Sequence, residues 1–519
     1  MTDEKTLVMD YGGQYTHLIA RRCRELGVYA EIITKDTVLN DEILAGVRGI
    51  ILSGGPRTAT EQDIGPPFNK NFEMIRKEKI PVLGICFGHQ ILAYACGANL
   101  APGGNPEYGE MKIQVVSDTP LLSGLDKTQN VWMSHSDEVS ELPESLIPLA
   151  ISGNDHIASF ASKDNLIFGV QFHPEVTHTP NGMSILNSFL RDICQYKEKW
   201  SPGKEIDIIL EEIKQTVGDG RVLMGTSGGV DSTVASYLIK QAIGERLYCV
   251  FVDNGLLRYQ EREEVEKAFE DMGFEHFVTV DASDEFLEGL QGVIDPEEKR
   301  KIIAETFIRV FERKAKELEK EYGEFAFLGQ GTIYPDRVES AATGKETSVI
   351  KSHHNVRLPD WMKMSLVEPL KDLYKDEVRK VGDKLNIPSK MIHRQPFPGP
   401  SLAIRIGGPV TKEQLEILRN ADRILQEELE KDSSYPSIWQ SFCVLLPVRS
   451  VGVMGDERTY DQAAVIRVVE SSDAMTASVS RLDWDVLLRI ASRIANQVKG
   501  INRVVYDVTS KPPGTIEWY

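Results

Sequence analysis

The sequence predicts an α/β fold: two consecutive α/β domains with mainly parallel sheets, followed by a small α+β C-terminal domain. Short apolar runs alternate with amphipathic stretches over residues 1–200 and again over 201–394, which is typical of strands and helices in parallel sheets. Over residues 395–519, helical patterns are instead interleaved with β-like runs. The length of 519 residues allows about three or four domains, and this alternation divides the chain into three.

The first domain is predicted from buried strands at 5–9, 49–52 and 82–85, each followed by turn residues and a helical pattern. Turn formers at 200–204 then indicate a linker. The elements expected in the second domain are helices at 205–217, 231–242 and 259–271 and strands at 222–225 and 248–252.

The third domain is expected to begin at 395–400, because Gln-Pro-Phe-Pro-Gly-Pro is too rich in proline for a helix or a central strand. Beyond it, we expect helices at 412–431 and 484–499. Strands are expected at 442–446, 464–469 and 503–508.

The composition excludes several function classes. A net charge of −19 argues against a protein that binds nucleic acid over a wide surface. No apolar run approaches the roughly 18 residues of a membrane span, so no membrane partner is expected. The acidic start of the chain is unlike a signal peptide. Six scattered cysteines without a CxxC pair argue against a disulfide framework or a zinc site, and they predict a reducing, cytoplasmic setting.

Residues 84–88, Gly-Ile-Cys-Phe-Gly, join a strand to a helical pattern. Flanking glycines permit the strained turn that raises a nucleophile above a sheet. Cys86 would lie at a helix N-terminus, which favours the thiolate, and the N–H of Phe87 would face a developing oxyanion. Downstream, His173 and Glu175 supply a base and a group that orients it. A lone cysteine here is more often a small core residue. The pattern alone therefore leaves a catalytic and a structural Cys86 about equally open.

Five motifs resemble the class I glutamine amidotransferase family over residues 5–195: DYGGQY at 10–15, LSGGP at 52–56, GICFGHQ at 84–90, MSHSD at 133–137 and QFHPE at 171–175. The resemblance implies that Cys86 attacks the glutamine carboxamide, His173 shuttles the proton and Glu175 orients His173, giving glutamate and ammonia. The residues implied to hold the substrate are Gly55 and Phe87 as the oxyanion hole and Gln90, Ser134, His135 and Ser136 as the glutamine site. His89 and His135 lack the spacing of a zinc site.

A second glycine-rich turn, TSGGVDST at 226–233, lies between a predicted strand and helix. Its glycines let the backbone approach a phosphate, and the helix N-terminus presents N–H donors. It is not a Walker loop, because no lysine follows the second glycine. Asp231 would suit a Mg²⁺ ion that bridges phosphates. A glycine-rich connection without a ligand is the alternative.

This loop resembles the PP-loop of the N-type ATP pyrophosphatases, which cleave ATP between the α- and β-phosphates. The resemblance implies Mg²⁺ as cofactor, with Asp231 as its candidate ligand. The residues implied to bind ATP or pyrophosphate are Ser227, Gly228, Gly229, Val230, Asp231, Ser232, Val252 and Lys371. Residues 295–301 would be a solvated face by composition. The resemblance instead implies a mobile lid, with Arg300 reaching a substrate phosphate.

The last third carries further motifs: GQGTIYPD at 329–336, HHNV at 353–356, PFPGP at 396–400, LPVRSVGVMGD at 446–456 and KPPGTIEW at 511–518. With them the resemblance extends over the whole chain, to the family that converts xanthosine monophosphate (XMP) to GMP. It implies a homodimer formed through residues from about 395 onward. The residues implied to bind XMP are Arg300, Gln440, Arg503, Lys511, Ile516 and Glu517. Arg357 and Ser401 depart from the family pattern, where glycine is expected or common.

The resemblance implies purine nucleotide biosynthesis: ATP adenylylates XMP at O2, and ammonia from glutamine displaces AMP. Two alternatives stay open. Another PP-loop amidotransferase would use a different adenylylated acceptor, such as a carboxylate. A nucleotide-binding regulator would have a decayed active site, against which the complete triad and PP-loop argue.

Overall fold

The computed structural model describes residues 4–55, 66–101, 106–117, 119–197, 199–201, 206–337, 364–454, 457–471 and 476–519. The chain divides into two compact units, Met1–Glu205 and Ile206–Tyr519. The predicted HHNV motif and Arg357 lie outside the described residues, as does most of the predicted linker. No helix within the described ranges is both long and apolar enough to cross a membrane.

The first unit consists of one large sheet, a small two-stranded sheet and several helices. Its strands are β1 (Lys5–Asp10), β2 (Ala30–Thr34), β3 (Val47–Leu52), β4 (Val82–Ile85), β5 (Asn99–Ala101), β6 (Glu107–Val115), β7 (Thr128–His135), β8 (Glu138–Glu141), β9 (Leu146–Ser152), β10 (Ile157–Ser162) and β11 (Ile167–Val170). Its helices are α1 (Thr16–Glu25), α2 (Asp41–Leu44), α3 (Pro66–Glu78), α4 (Phe87–Ala95) and α5 (Gly182–Asn187), which continues as a π-helical segment, Ser188–Ile193.

Nine of these strands form a sheet in the order β2-β1-β3-β4-β11-β10-β9-β6-β7. The half from β2 to β11 is parallel, and the half from β10 to β7 is antiparallel. Strands β4 and β11 are parallel neighbours, so their carboxyl ends lie at the same edge of the sheet. The residues that follow these two strands are therefore brought together, although more than eighty positions separate them in the sequence.

The second unit contains two smaller sheets. Its strands are β12 (Val222–Thr226), β13 (Leu247–Asp253), β14 (Phe277–Asp281), β15 (Phe327–Gly329), β16 (Ser365–Val367), β17 (Gln440–Met454), β18 (Glu457–Glu470), β19 (Ser478–Val479) and β20 (Ile501–Tyr506). Its helices are α6 (Ile206–Val217), α7 (Val230–Ile243), α8 (Glu261–Asp271), α9 (Ser283–Gly289), α10 (Pro296–Tyr322), α11 (Lys375–Lys384), α12 (Ser389–Ile392), α13 (Lys412–Leu429) and α14 (Trp484–Gln497).

The first of these sheets is fully parallel, in the order β14-β13-β12-β15-β16. In the second, β18 pairs with β17 and β19 in antiparallel fashion and with β20 in parallel. One hydrophobic core contains side chains of both sheets, including Leu223, Val250 and Ile466. The predicted boundary at 394 is thus crossed by a shared core, and the division of this unit into two domains stays a prediction.

The α/β class predicted from the sequence is confirmed. Residues 395–400 are neither helix nor strand, as their prolines predicted. The antiparallel half of the first sheet was not predicted. There, half-exposed strands such as β6 alternate buried and exposed side chains and carry few consecutive apolar residues.

Candidate functional site

The turn between β4 and α4 holds Cys86 in a conformation that only close packing can impose. Cys86 has φ +54° and ψ −105° and directly precedes the helix. Glycine is required on both sides. A Cβ on Gly84 would lie 2.3 Å from the carbonyl oxygen of Gly88, and one on Gly88 would lie 2.4 Å from the carbonyl oxygen of Leu52. The predicted nucleophile elbow is present, because strand and helix approach too closely for any other residue.

His173 and Glu175 lie just beyond β11, at the same edge of the sheet as Cys86. The Nδ1 atom of His173 is 2.7 Å from Oε1 of Glu175, and both side chains are buried. Burial lowers the pKa of His173, but the charge of Glu175 and the hydrogen bond with Cys86 outweigh it and hold that pKa well above its usual value. The buried carboxylate therefore favours an imidazolium beside the thiol.

Gly54 borders both catalytic side chains. A Cβ on Gly54 would be 3.4 Å from Cε1 of His173 and 3.7 Å from Cβ of Cys86, which are ordinary van der Waals distances. Phe87 is the first residue of α4, and its N–H is one of those that an α-helix leaves without an intrahelical partner. A Cβ on Gly55, the second predicted oxyanion donor, would lie 3.0 Å from Cδ1 of Phe87, so Gly55 packs closely against that ring.

The predicted glutamine-binding residues lie at the end of β7 and just after it, or contact this segment. The carbonyl oxygen of Ser134 is 3.6 Å from the Cys86 sulfur. The Nε2 atom of Gln90 donates to the carbonyl oxygen of Asp137 at 2.9 Å, and His135 contacts the same oxygen through Nδ1 at 2.9 Å. Gln90 and His135 are buried, whereas the side chains of Ser134 and Ser136 are exposed. The buried pair therefore fixes the backbone beside the thiol.

The predicted PP-loop lies between β12 and α7. The hydroxyls of Ser227 and Ser232 are 3.1 Å apart, and Ser232 also donates to the carbonyl oxygen of Gly229 at 3.1 Å. Gly228 has φ +69°, and a Cβ there would lie 2.4 Å from a methyl of Val265. The loop is therefore closed on itself by two hydroxyls, and its buried tip packs so closely against Val265 that only glycine fits there.

Asp231, in the first turn of α7, faces this loop. Its Oδ2 atom is 3.4 Å from the ammonium of Lys375, while its Oδ1 atom is buried and has no hydrogen-bond partner within the described structure. Lys371 is half-buried, and its backbone N–H donates to Glu368. The cation beside the loop carboxylate is thus Lys375, four residues beyond the predicted Lys371. The predicted Val252 is buried in β13.

The C-terminal tail carries an ordered cluster of polar side chains. Glu517 receives two hydrogen bonds from the guanidinium of Arg405, at 3.0 and 3.1 Å, and one from Nε2 of Gln440 at 2.6 Å. The buried Arg467 donates to the carbonyl oxygen of Ile516 at 2.7 Å. The predicted residues Gln440, Ile516 and Glu517 are therefore brought together, by two buried arginines that the sequence motifs did not single out.

Two more predicted XMP residues lie at this end of the second unit. Lys511 pairs through its backbone with Ala477, next to β19. The guanidinium of Arg300 donates to the carbonyl oxygen of Tyr519. The segment around Arg300, expected to be a lid, is here the first turn of α10. The buried ammonium of Lys299 anchors it, since it donates to three carbonyl oxygens, including that of Ile406 at 2.7 Å.

Arg503, the remaining predicted XMP residue, lies elsewhere on the second sheet. It is opposite Ala463, and its Nε donates to the hydroxyl of Ser450 at 3.2 Å. Gln440 is opposite Val469, six residues further along β18, which is about 20 Å at a strand rise of ~3.3 Å per residue. Within one chain, the fold does not bring Arg503 to the cluster around Glu517.

Sequence motifs missed four basic residues that shape these sites: Lys375, Arg394, Arg405 and Arg467. Arg394 donates to the carbonyl oxygen of Gly228 in the PP-loop and pairs with Glu261 at 2.8 Å. Arg405 and Arg467 are almost fully buried. Each of these two arginines interrupts an apolar run in the sequence. Since an arginine in such a run needs buried partners, this pattern could have predicted both.

Together, the fold and the Cys86 site define a glutamine amidotransferase of class I. The family model described as "Glutamine amidotransferase class-I" matches residues 7–193. A second model, "GMP synthase C terminal domain", matches residues 427–518.

Three relatives extend the comparison to the whole chain, and all are described as "GMP synthase [glutamine-hydrolyzing]". The protein from Aquifex aeolicus is 50% identical over 513 residues, 99% of each chain. Those from Caldicellulosiruptor saccharolyticus and Phenylobacterium zucineum are each 50% identical over 520 and 529 residues, covering 100% of both chains. The chain belongs to the family of glutamine-hydrolysing GMP synthases.

Proposed function

We propose that this chain makes GMP from XMP, ATP and glutamine. The observation that carries the proposal is the buried pair formed by His173 and Glu175 beside Cys86, in a chain whose full-length relatives are glutamine-hydrolysing GMP synthases. The alternative that uses a different adenylylated acceptor lacks comparable support. The similarity to these relatives includes the C-terminal segment.

In the first half-reaction, the thiolate of Cys86 attacks the carboxamide carbon of glutamine. The N–H groups of Gly55 and Phe87 stabilise the oxyanion, and His173 gives its proton to the departing ammonia. Water, deprotonated by His173, then hydrolyses the thioester to glutamate. Glu175 holds the imidazole in the orientation and protonation state that both steps need. Gln90, Ser134, His135 and Ser136 form the glutamine site.

In the second half-reaction, the PP-loop binds the β- and γ-phosphates of ATP. The two hydroxyls of Ser227 and Ser232 and the N–H groups at the start of α7 are suitable donors. The orphaned, buried Oδ1 atom of Asp231 suits a divalent cation, so Asp231 would hold Mg²⁺. When bound, Mg²⁺ neutralises charge on the phosphates. Lys375 replaces Lys371 as our preferred pyrophosphate contact, because it already pairs with Asp231.

The O2 oxygen of XMP attacks the α-phosphorus of ATP, and the α–β bond breaks to release pyrophosphate. Ammonia then adds to C2, and AMP leaves with the O2 oxygen. The overall balance is XMP, ATP, glutamine and water to GMP, AMP, pyrophosphate and glutamate. Arg300 and Lys511 are proposed phosphate contacts. Gln440, Ile516 and Glu517 are proposed contacts of the nucleotide, and their mutual hydrogen bonds pre-organise them.

The domain boundaries at 200 and 394, a cytoplasmic location and a homodimer formed through residues from about 395 onward belong to the same proposal. Exposed apolar side chains on β17 and β18, such as Val451, Val453 and Tyr460, support an interface there. All six cysteines are free, which suits a reducing compartment.

Sedimentation analysis of the full chain tests the homodimer, and a purely monomeric species contradicts it.

The test of the two-site function is the Cys86→Ala variant. We expect it to lose glutamine-driven GMP synthesis and to keep synthesis driven by ammonium chloride, because only the first half-reaction needs the thiol. The matched control is Cys96→Ala, at the other end of α4, which keeps both activities. If folded Cys86→Ala protein loses both activities or keeps both, the proposed division of labour is wrong.

A further inference from the structure

A compact cluster of potential metal ligands lies in the antiparallel half of the first sheet. Glu107 and His135 are register partners on β6 and β7, and His156 lies in the turn before β10. The Nε2 atom of His135 and the Nδ1 atom of His156 are 3.1 and 3.8 Å from the same oxygen, Oε2 of Glu107. The three ligand atoms lie within 4.8 Å of one another, and all three residues are buried.

On each histidine, the ring nitrogen that faces away from Glu107 already has a hydrogen-bond partner in the protein. Nδ1 of His135 is 2.9 Å from the carbonyl oxygen of Asp137, so it must be the donor. Nε2 of His156 is 2.5 Å from the carboxylate of Glu138 and is likewise the donor. The remaining nitrogens, Nε2 of His135 and Nδ1 of His156, are the atoms that would supply lone pairs to a metal ion.

The carboxylate oxygen of Glu107 that faces away from the histidines is also hydrogen-bonded. This Oε1 atom accepts hydrogen bonds from the hydroxyl of Ser152 at 2.7 Å and from Nδ2 of Asn154 at 2.9 Å. The Oε2 atom therefore points at the two histidines. The three potential ligand atoms therefore converge on one buried point, where Nε2 of His135 is within hydrogen-bond distance of Oε2 and Nδ1 of His156 has no hydrogen-bond partner within the described structure.

We propose that Glu107, His135 and His156 bind one Zn²⁺ ion. Two imidazole nitrogens and one carboxylate oxygen are a ligand set that zinc favours, with water as the fourth ligand. Tetrahedral bonds of ~2.0–2.1 Å separate ligand atoms by about 3.3 Å. The two separations of 3.1 and 3.8 Å therefore need only small adjustments. The hydrogen bonds behind each ligand are the outer contacts that zinc sites typically have.

The proposed ion has a structural role beside the glutamine site. It would join the end of β7 to the turn between β9 and β10. The segment after β7 contains Ser134, whose carbonyl oxygen contacts the Cys86 sulfur. Zinc would therefore stabilise the wall of the glutamine pocket without touching the substrate. The site stands independently of the proposed function, since it rests only on the geometry of these side chains.

The experiment uses the full chain without a polyhistidine tag, in the Cys86→Ala background, because a thiolate beside His173 would also bind zinc. After treatment with a chelator, Zn²⁺ is titrated in competition with a chromophoric chelator, and bound metal is measured by mass spectrometry. We expect one equivalent per chain and a higher Tm with zinc. His156→Gln should weaken binding by about 100-fold or more, and Glu138→Gln by about 10–100-fold. Glu110→Gln, an exposed glutamate on β6, is the matched control and should bind as tightly as the parent.

The proposal is overturned if the parent chain binds no stoichiometric zinc, or if His156→Gln binds it as tightly as the parent does. Should His156→Gln fail to fold by circular dichroism, Glu138→Gln provides the same test. Its side chain is 20% exposed and does not coordinate the ion in the proposal. Unchanged zinc affinity in Glu138→Gln would then contradict the site.

Discussion

The close approach of β4 to α4 makes Gly84→Ala the most informative perturbation of the first unit. The added Cβ would lie 2.3 Å from the carbonyl oxygen of Gly88 and 2.7 Å from the backbone nitrogen of His89. Contacts below 3.0 Å do not persist, so the strand and the start of the helix must separate by at least about 0.7 Å. Both atoms are backbone atoms, and no side-chain rotation can relieve the contact.

This displacement moves Cys86 and the N–H of Phe87 relative to His173. A misplacement of ~1 Å in a catalytic group costs about 10²-fold in rate, so we expect glutaminase activity to fall by about 10–100-fold. Overpacking should also destabilise the first unit by about 1–3 kcal/mol. Ammonium-driven synthesis depends on residues of the second unit and should stay within about twofold of the wild-type rate.

The assay measures glutamate release and GMP formation in the presence of XMP and ATP, with glutamine or ammonium chloride as nitrogen source. Gly153→Ala is the matched control, because its Cβ would lie 3.8 Å from the carbonyl oxygen of Lys112, an ordinary contact. Wild-type glutaminase activity in Gly84→Ala would refute the steric reasoning. Equal loss with both nitrogen sources in a folded variant would refute the assignment of glutamine hydrolysis to this turn.

Three further substitutions test the other contacts. Glu175→Gln removes the negative charge that raises the pKa of His173. Burial then lowers this pKa, so the imidazolium becomes scarce at neutral pH. The midpoint of the His173 titration, followed by NMR of its imidazole, should then move down by about one pH unit or more, and glutaminase should fall by about 10²–10⁴-fold. Asp231→Ala should abolish synthesis from either nitrogen source, measured as pyrophosphate release. Glu517→Gln should raise KM for XMP by about 10-fold or more, because hydrogen bonds to a charged group are lost.

Each of these substitutions has its contradicting result. An unchanged titration midpoint of His173 in Glu175→Gln would mean that the carboxylate does not control the imidazole. Asp219→Ala and Glu457→Gln alter exposed carboxylates of the second unit and should leave synthesis unchanged. Normal ammonium-driven rates in Asp231→Ala would remove this residue from the phosphate site. A KM for XMP in Glu517→Gln equal to that of Glu457→Gln would separate the tail cluster from nucleotide binding.

Sequence patterns predicted best those elements whose ends are determined by residues adjacent in the sequence. The strand at 82–85 matches β4 at both ends, because it is a short apolar run bounded by Pro81 and the elbow. The departure at Ser401 also has a physical reason. Its φ is +56°, a conformation that glycine adopts without strain, and its buried hydroxyl accepts a hydrogen bond from Asn254. Strand ends and residues with positive φ can thus be predicted from the local sequence.

Contacts between distant elements could not be predicted in this way. Lys371 and Lys375 both follow β16 by a few residues, and only the packing of α11 on α7 places Lys375 at Asp231. The partner of Glu517 is Arg405, more than one hundred positions earlier. Nothing in the spacing of two such residues indicates that they meet. The same holds for Glu107 and His156, which belong to neither a motif nor a shared element.

The most direct test of the central claim is the stoichiometry of the complete reaction. Purified chain is incubated with XMP, ATP, Mg²⁺ and glutamine, and products are quantified by ion-exchange chromatography and enzymatic pyrophosphate assay. We expect GMP, AMP, pyrophosphate and glutamate in equal amounts, with AMP and pyrophosphate strictly dependent on XMP. Formation of ADP and phosphate instead, or AMP and pyrophosphate formation that proceeds only with another acceptor, would contradict the proposed function.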